Sequence, residues 1–472
     1  MALSRRQFIV RGGGITGGLL GTSLFGNPFL RRAFAESIGD RYLVVVNLDG
    51  GNDGLNTITP VANGATASLR AAYEAARRAG SGGLRLAPNQ LLTTIAPGAP
   101  ALVDAGSGTP LGFHPGLVGL RNLFDLGKVA VVQGCGYPDH SLSHEQARRF
   151  WERAVPESTG IGSGWIGRHL AGHYGGSDIP AVNIRSSVSG DFQQSATSVL
   201  TLGRVRDFRF PFDSGFGSDV EFKRTALLAL SEEAVASGNA ALAYVGASDR
   251  ATLLASASYP PLHDLYENDR SAFDRVYDDL DTSTARDLRE VAKVIYGVES
   301  GVPNVAARFF EVRNGGYDTH SDQGAGEPDG QHTRLHREVG DALEAFYHDC
   351  ADMGVADRLC IVMWSEFSRR IEQNDNGTDH GTHGPAFVIG GAVNGGIYGN
   401  HPDIGTLDSK GNTIYSQNDA DSFRSTDFRD VFGTILRHWL NLADPEIIFP
   451  RDDWGDPNRY WEVPDFDLPF LP

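Results

Sequence analysis

The sequence predicts an α/β protein with a mostly parallel central sheet flanked by helices. Three observations point there. Short β-branched apolar runs, of which Tyr42-Leu43-Val44-Val45-Val46-Asn47-Leu48 is the clearest, read as strands buried on both faces. A turn-rich loop and then a segment with helical spacing follow such runs repeatedly. Hydrophobic residues make up 40% of the 472 and charged residues 21%, enough apolar material for a sizeable core and too little charge for a disordered chain.

Taken in order, the first strand covers 42–48 and runs into Asp49-Gly50-Gly51-Asn52-Asp53-Gly54, a turn-forming loop too irregular for a phosphate cradle. Residues 66–78 are Ala-rich with Glu and Arg and read as a helix. Leu117, Leu120, Leu123 and Phe124 place a second helix over 116–126. A second buried strand is expected at 129–133 and a helix at 143–154. The stretch 220–298 is dense in Ala, Leu, Glu and Arg with few strand signals, so a helical insertion is expected over about 220–300. The α/β pattern resumes with a strand at 306–312, a long helix at 333–353, and strands at 359–364 and 386–389. An amphipathic helix over 427–440 closes the domain, and the segment after Pro450 reads as coil. The 58 glycines and 23 prolines foretell long loops. No run of eighteen apolar residues occurs, which argues against an integral membrane protein.

The formal net charge is −18, and so acidic an envelope repels phosphate backbones; nucleic acid is not an expected partner. The first 35 residues run against this trend. They carry Arg5, Arg6, Arg11, Arg31 and Arg32 and no acid. Ser4-Arg5-Arg6-Gln7-Phe8-Ile9 has the twin-arginine pattern, a Gly-rich, weakly hydrophobic stretch follows, and Ala33-Phe34-Ala35 supplies an A-x-A cleavage site. Residues 1–35 therefore read as a twin-arginine signal peptide, and 36–472 as one domain exported to the periplasm or beyond by the twin-arginine machinery. Cys135, Cys350 and Cys360 show no C-x-x-C spacing, so neither a disulfide framework nor a thiolate zinc site is expected.

In open α/β sheets, ligands sit at the carboxyl ends of the strands. Asp49, Asn52 and Asp53 follow the first expected strand, and His140, Ser141, Ser143 and His144 the second. Asp318, His320 and Asp322 follow 306–312; Glu366, then Asp379, His380 and His383, follow 359–364. Asp and His together suit divalent cations. D-x-H at 318–320 sets both side chains on one side of an extended segment, and D-H-x-x-H at 379–383 can curl three donors round a point. Ser143 has two readings. It is the first residue of an S-x-x-Q capping box, or a nucleophile favoured by the helix N-terminus and a nearby cation. His332 and His336 lie one turn apart, with Arg334 and Arg337 suggesting an exposed face; His114 reads equally as a buried, hydrogen-bonded imidazole.

These segments, in order, resemble the exported bacterial proteins grouped as domain of unknown function 1501. The resemblance rests on the twin-arginine start, LVVVNLDGGNDGLNT at 43–57, FHPGL at 113–117 and SLSHEQARRFWE at 141–152. It continues with GGYDTHSDQ at 315–323, WSEFSRR at 364–370, TDHGTHGPAFVIGGAVNGGIYG at 378–399 and TDFRDVFGTILRHWL at 426–440. That family looks like a distant branch of the alkaline phosphatase superfamily, beside the sulfatases and cofactor-independent phosphoglycerate mutases. The resemblance implies an alkaline-phosphatase-like fold and a divalent metal (Zn, Mn, Mg or Ca) on Asp49, Asp318, His320, Glu366, Asp379, His380 and His383. Glu366 stands alone where the superfamily has an Asp-His pair, and D-x-H replaces its D-x-x-x-H. No Cys-x-Pro-x-Arg motif for a formylglycine nucleophile is present. The expectation is an exported metal-dependent hydrolase of phosphate or sulfate esters, acting on a small-molecule or polysaccharide ester. Ser143 or a bound water would attack, and His144 or His140 would move the proton. The alternative is a non-catalytic exported binding or assembly protein that retains the phosphatase-like fold.

Overall fold

The computed structural model describes residues 40–66, 68–93, 96–137, 140–155, 162–174, 179–185, 187–193, 198–402, 404, 425–449 and 465–472. The leader at 1–35 and most of the tail after Pro450 lie outside them.

Eleven strands are formed among the described residues: β1 Tyr42–Asp49, β2 Ile58–Pro60, β3 Leu111–Phe113, β4 Val129–Gly136, β5 Ala181–Ile184, β6 Val199–Leu202, β7 Phe309–Gly315, β8 Leu359–Trp364, β9 Gly384–Ile389, β10 Gly396–Tyr398 and β11 Thr426–Asp427. Nine form one sheet in the order β10-β4-β9-β8-β1-β7-β5-β6, with β11 beside β4; β2 and β3 pair separately. Every pairing in the large sheet is parallel except those of β9, which runs antiparallel to β4 and β8. This is the mostly parallel α/β architecture the sequence predicts.

β1 sits between β7 and β8, so both faces must be covered, and its β-branched residues are buried throughout. Side chains alternate. Tyr42, Val44, Val46 and Leu48 enter one layer with Leu120, Leu123, Val291, Val339 and Phe346, from the helices Val118–Asp125, Ser283–Glu299 and Gln331–Asp352. Leu43 and Val45 enter the other, with Ala147, Trp151, Ile166 and Phe432, from His144–Arg153, Trp165–His173 and Phe428–Thr434. The Trp151 and Trp364 rings stack at 5.0 Å, which fastens the His144–Arg153 helix to β8.

Helices fill Gly217–Glu299: Gly217–Ala236, Ala240–Ser258, Pro261–Asp269, Ser271–Leu280 and Ser283–Glu299. Three features depart from expectation. β5 and β6 are real strands, each of four residues, too short to show a periodic signal. The closing helix is regular only over Phe428–Thr434 and continues as a π-turn, Ile435–Trp439. His332 and His336 are buried rather than exposed, because their side of the Gln331–Asp352 helix packs on Asn52, Thr57 and His114. His114 is buried; its Nε2–H donates to the Ala325 carbonyl and its Nδ1 accepts from the Gly116 amide. Among the described residues no helix is long and apolar enough to cross a membrane. The three cysteines are buried and form no disulfide.

Candidate metal centre

β1, β4, β7 and β8 all end at one edge of the sheet, and antiparallel β9 starts there. The loops carrying Asp49, His144, Asp318, Glu366 and the 379–383 segment therefore meet, although they are far apart in sequence. Two glycines allow the approach. Gly50 has φ +121°, and a Cβ there would stand 2.4 Å from the Asp318 amide nitrogen; Gly51 has φ +76° under the Phe367 ring.

The focus is Asp318 Oδ1. His320 Nε2 lies 3.2 Å from it, His380 Nε2 3.3 Å and His144 Nε2 3.4 Å. His320 Nε2 and His380 Nε2 are 2.9 Å apart. One donor atom each from His144, Asp318 and His380 falls within 4.8 Å of the others. Behind each imidazole the second ring nitrogen is held: His144 Nδ1 by Glu366 Oε1 at 2.7 Å, His320 Nδ1 by Asp379 Oδ1 at 3.3 Å, His380 Nδ1 by the Leu142 carbonyl at 2.7 Å. Fixing Nδ1 turns Nε2 toward a shared point, the arrangement by which proteins orient metal-binding imidazoles. His144 Nε2 is buried and without a hydrogen-bond partner.

Arg369 ties the loops together. Its guanidinium reaches the carbonyls of Gly50, Gly51, Tyr317 and Thr378, and Asp318 Oδ1 at 2.7 Å. Partial burial raises the Asp318 pKa, but the Arg369 hydrogen bond and charge outweigh it and hold the carboxyl at about 2. The imidazoles shift in opposite directions. The hydrogen bond to Glu366 raises His144, whereas burial lowers His380 despite the Leu142 and Asp318 contacts. Burial raises Asp379, and its bonds from Asn374 and His320 more than reverse that.

The other expected ligands stand elsewhere. Glu366 is fully buried and accepts from the Gly50 amide and Ser365 as well as meeting His144, which places it behind an imidazole rather than at the centre. Asp379 stands likewise behind His320. Asp49 is clamped between Arg148 at 3.1 Å and Arg313 at 3.2 Å. His383 is buried against Thr382 and the Tyr137 carbonyl. Asn52 turns inward to Thr57 and His332, and Asp53 to Arg77 and Gln323. Ser143 is the N-cap of the His144–Arg153 helix, exposed, and its hydroxyl makes no cap bond. The capping-box reading fails because Gln146 accepts instead from Ser141, whose hydroxyl also receives the Ser143 amide.

Sequence reasoning missed Arg148, Arg313 and Arg369. Arg148 was within reach: four residues after His144, it must share that residue's helix face. Arg369 lies in the WSEFSRR segment, but nothing local gives its role, since its bonds cross to other loops. A cavity of about 620 Å³ opens beside the cluster, lined by His380, Asp379, His140, His383, Arg370 and Gln133. Gln133 Nε2 is buried there without a hydrogen-bond partner.

The fold and site define an α/β protein with a His/Asp cluster at the carboxyl edge of its sheet. Residues 133–419, more than half the chain, match the family described as "Protein of unknown function (DUF1501)", and the chain belongs to that family. No curated protein matches. Among solved structures the chain is similar to the lipoteichoic acid synthase LtaP from Listeria monocytogenes, at 10% identity and a TM-score of 0.30, over 84% of this chain and 82% of that one.

Proposed function

We propose that the protein is an exported metal-dependent hydrolase of phosphate or sulfate esters, with an alkaline-phosphatase-like site. The observation that carries this is the convergence of three imidazole Nε2 atoms on Asp318 Oδ1, each with its Nδ1 held from behind. Nitrogen donors with one carboxylate suit a borderline divalent cation such as Zn or Mn. Catalytic sites keep about three protein ligands and an open position. Asp318, His320 and His380 are the three, and His144 faces the same space as the residue that moves a proton. A bound cation supplies charge stabilisation for the ester oxygens and a more acidic attacking hydroxyl or water. Glu366 and Asp379 orient imidazoles; Arg369 holds the loops and the Asp318 carboxylate. The ester enters from the cavity beside His380. Export through the twin-arginine machinery follows from the leader pattern at 1–35.

One contact favours the non-catalytic reading. Arg369 already neutralises Asp318 at 2.7 Å, so the cluster is stable as an ion-pair network without a cation. A single experiment separates the two. Purified protein is loaded with Zn, Mn, Mg or Ca in turn and assayed on aryl phosphates and aryl sulfates, with His320→Ala in parallel. The hydrolase reading expects turnover that follows bound metal and is lost in the variant. Stoichiometric metal with no turnover on any ester gives the site to a binding protein.

A further inference from the structure

Next to the cluster, on the Leu43–Val45 side of the sheet, lies a second group of charged side chains. Strand alternation brings Asn47 and Asp49 of β1, Glu311 and Arg313 of β7, and Arg185 just past β5 onto that face. The His144–Arg153 helix lies across them and presents Arg148 one turn from His144. We propose that Arg148, Arg185 and Arg313 form an oxyanion-binding site that holds a second anionic group of the substrate, a sulfate, phosphate or carboxylate. Assigning the anion to the substrate rests on the hydrolase reading; the binding site itself does not.

The three guanidinia are under-used. Arg148 and Arg313 share the single carboxylate of Asp49. Arg313 adds a 3.3 Å bond to Asn47 Oδ1, and Arg148 a 3.7 Å ion pair with Glu152. Arg185 has its ion-pair partner Glu311 Oε1 at 3.6 Å, beyond hydrogen-bond reach. Each guanidinium carries five donors, so most are unspent. All three side chains remain open to solvent, at 25%, 21% and 21% relative exposure for Arg148, Arg185 and Arg313.

Of the carboxyls around the group, burial raises Glu311 to about 7 and lifts Glu152 and Asp191 as well. Arg313 is itself lowered, by burial first and then by the neighbouring Arg185 and Arg148 charges, against the pull of Asp49. A group of mutually repelling cations with spare planar forks attracts an oxyanion, which can take two parallel hydrogen bonds from each. In a chain of net charge −18 it is a local exception beside the reacting centre. Along the sheet edge, in the order β4-β9-β8-β1-β7-β5, the cavity wall includes Gln133 of β4 and Pro385 of β9, Glu366 and Asp49 stand after β8 and at the end of β1, and Arg313 and Arg185 lie in β7 and just past β5. An extended ester with acidic groups at intervals, such as a polyanionic saccharide, fits that order.

The test is calorimetric titration of the metal-free full chain with inorganic sulfate and, separately, inorganic phosphate, at low and high ionic strength. Arg185→Gln is the main variant, because Arg185 holds no loop in place; circular dichroism checks its fold. Binding that weakens with salt, falls about tenfold or more in Arg185→Gln and persists in His320→Ala supports the site. Absent binding, or equal binding by Arg185→Gln and the wild type, overturns it. Binding lost in His320→Ala alone also overturns it, by moving the anion to the cluster. Anion binding with no esterase activity would leave the arginine site standing and remove only the hydrolase reading.

Discussion

At the residue scale, Ser143 and His380 separate two chemistries. The Ser143 hydroxyl caps nothing, so Ser143→Ala should alter stability by no more than about 0.5 kcal/mol. If the hydroxyl is the nucleophile, that variant loses turnover and keeps its metal. His380→Ala removes a donor and should lower bound metal, read by elemental analysis, whichever group attacks. Full activity in Ser143→Ala beside loss in His380→Ala assigns the attack to water. Arg369 is a different kind of residue, buried and bonded to four backbone carbonyls as well as to Asp318. Arg369→Met leaves these acceptors bare and should cost about 3–5 kcal/mol, measured by urea unfolding; a loss below about 1 kcal/mol would contradict its role as the tie between loops.

At the element scale, the site depends on how the His144–Arg153 helix is seated. Trp151 packs on Trp364, Phe428 and Phe432, and on that seat the same helix presents His144 and Arg148 to the sheet edge. Trp151→Ala should cost about 3–5 kcal/mol and lower turnover while leaving bound metal in place, because the His144 position relaxes with the helix. Unchanged turnover in a folded Trp151→Ala protein would show that the helix seat does not set the His144 position. Gly50→Ala tests the opposite wall. A methyl group there meets the Asp318 amide, so the Asp318 segment must move away; metal affinity should fall although no donor has been removed.

At the scale of the whole molecule, buried ionisable groups set how stability responds to acid. Burial lowers His114 to about 3 and His332 to about 4, and drives His336 down too, so the folded state holds them neutral. An unfolded chain protonates them below about pH 6.5. Their contribution is therefore full above about 6.5 and is lost as pH falls toward the folded values. The buried carboxyls Asp191 and Glu311 act oppositely: their folded pKa values are raised, so their contribution is lost as pH rises through about 7 for Glu311. The wild-type curve is flattened by this opposition, and a difference measurement is cleaner. The stability gap between wild type and His332→Gln should shrink by about 1.4 kcal/mol per pH unit between pH 6.5 and 4. A gap constant with pH would mean that His332 is already charged in the fold. The leader is tested separately: protein recovered from the exporting cell should begin near Glu36, and Met1 on that material would remove the signal-peptide reading.

How much was legible in the sequence follows from the range of each interaction. The strand at 42–49, the helices over 116–126, 143–154 and 333–353, and the position of acids and imidazoles after strands are local patterns, and local patterns are written in consecutive residues. The family resemblance drew on the same segments. What only the tertiary structure decided is which donors face one another. Asp49 and Glu366 lie as close to strand ends in sequence as Asp318 does, and Asp379 stands in the loop between β8 and β9, yet guanidinia hold the first and imidazoles stand in front of the other two. The burial of His332 and His336 depends on which helix face meets the loop after β1, a contact across some 280 residues. Arg148 and Arg369 sit inside SLSHEQARRFWE and WSEFSRR without a role legible there, and Arg185 and Arg313 lie outside the quoted segments, because a guanidinium's role is set by carbonyls and carboxylates that other strands deliver. The sequence by itself determined the elements and the edge of the sheet at which chemistry gathers. The packing of that edge decided the roles, since direction and distance between side chains are properties of the folded chain.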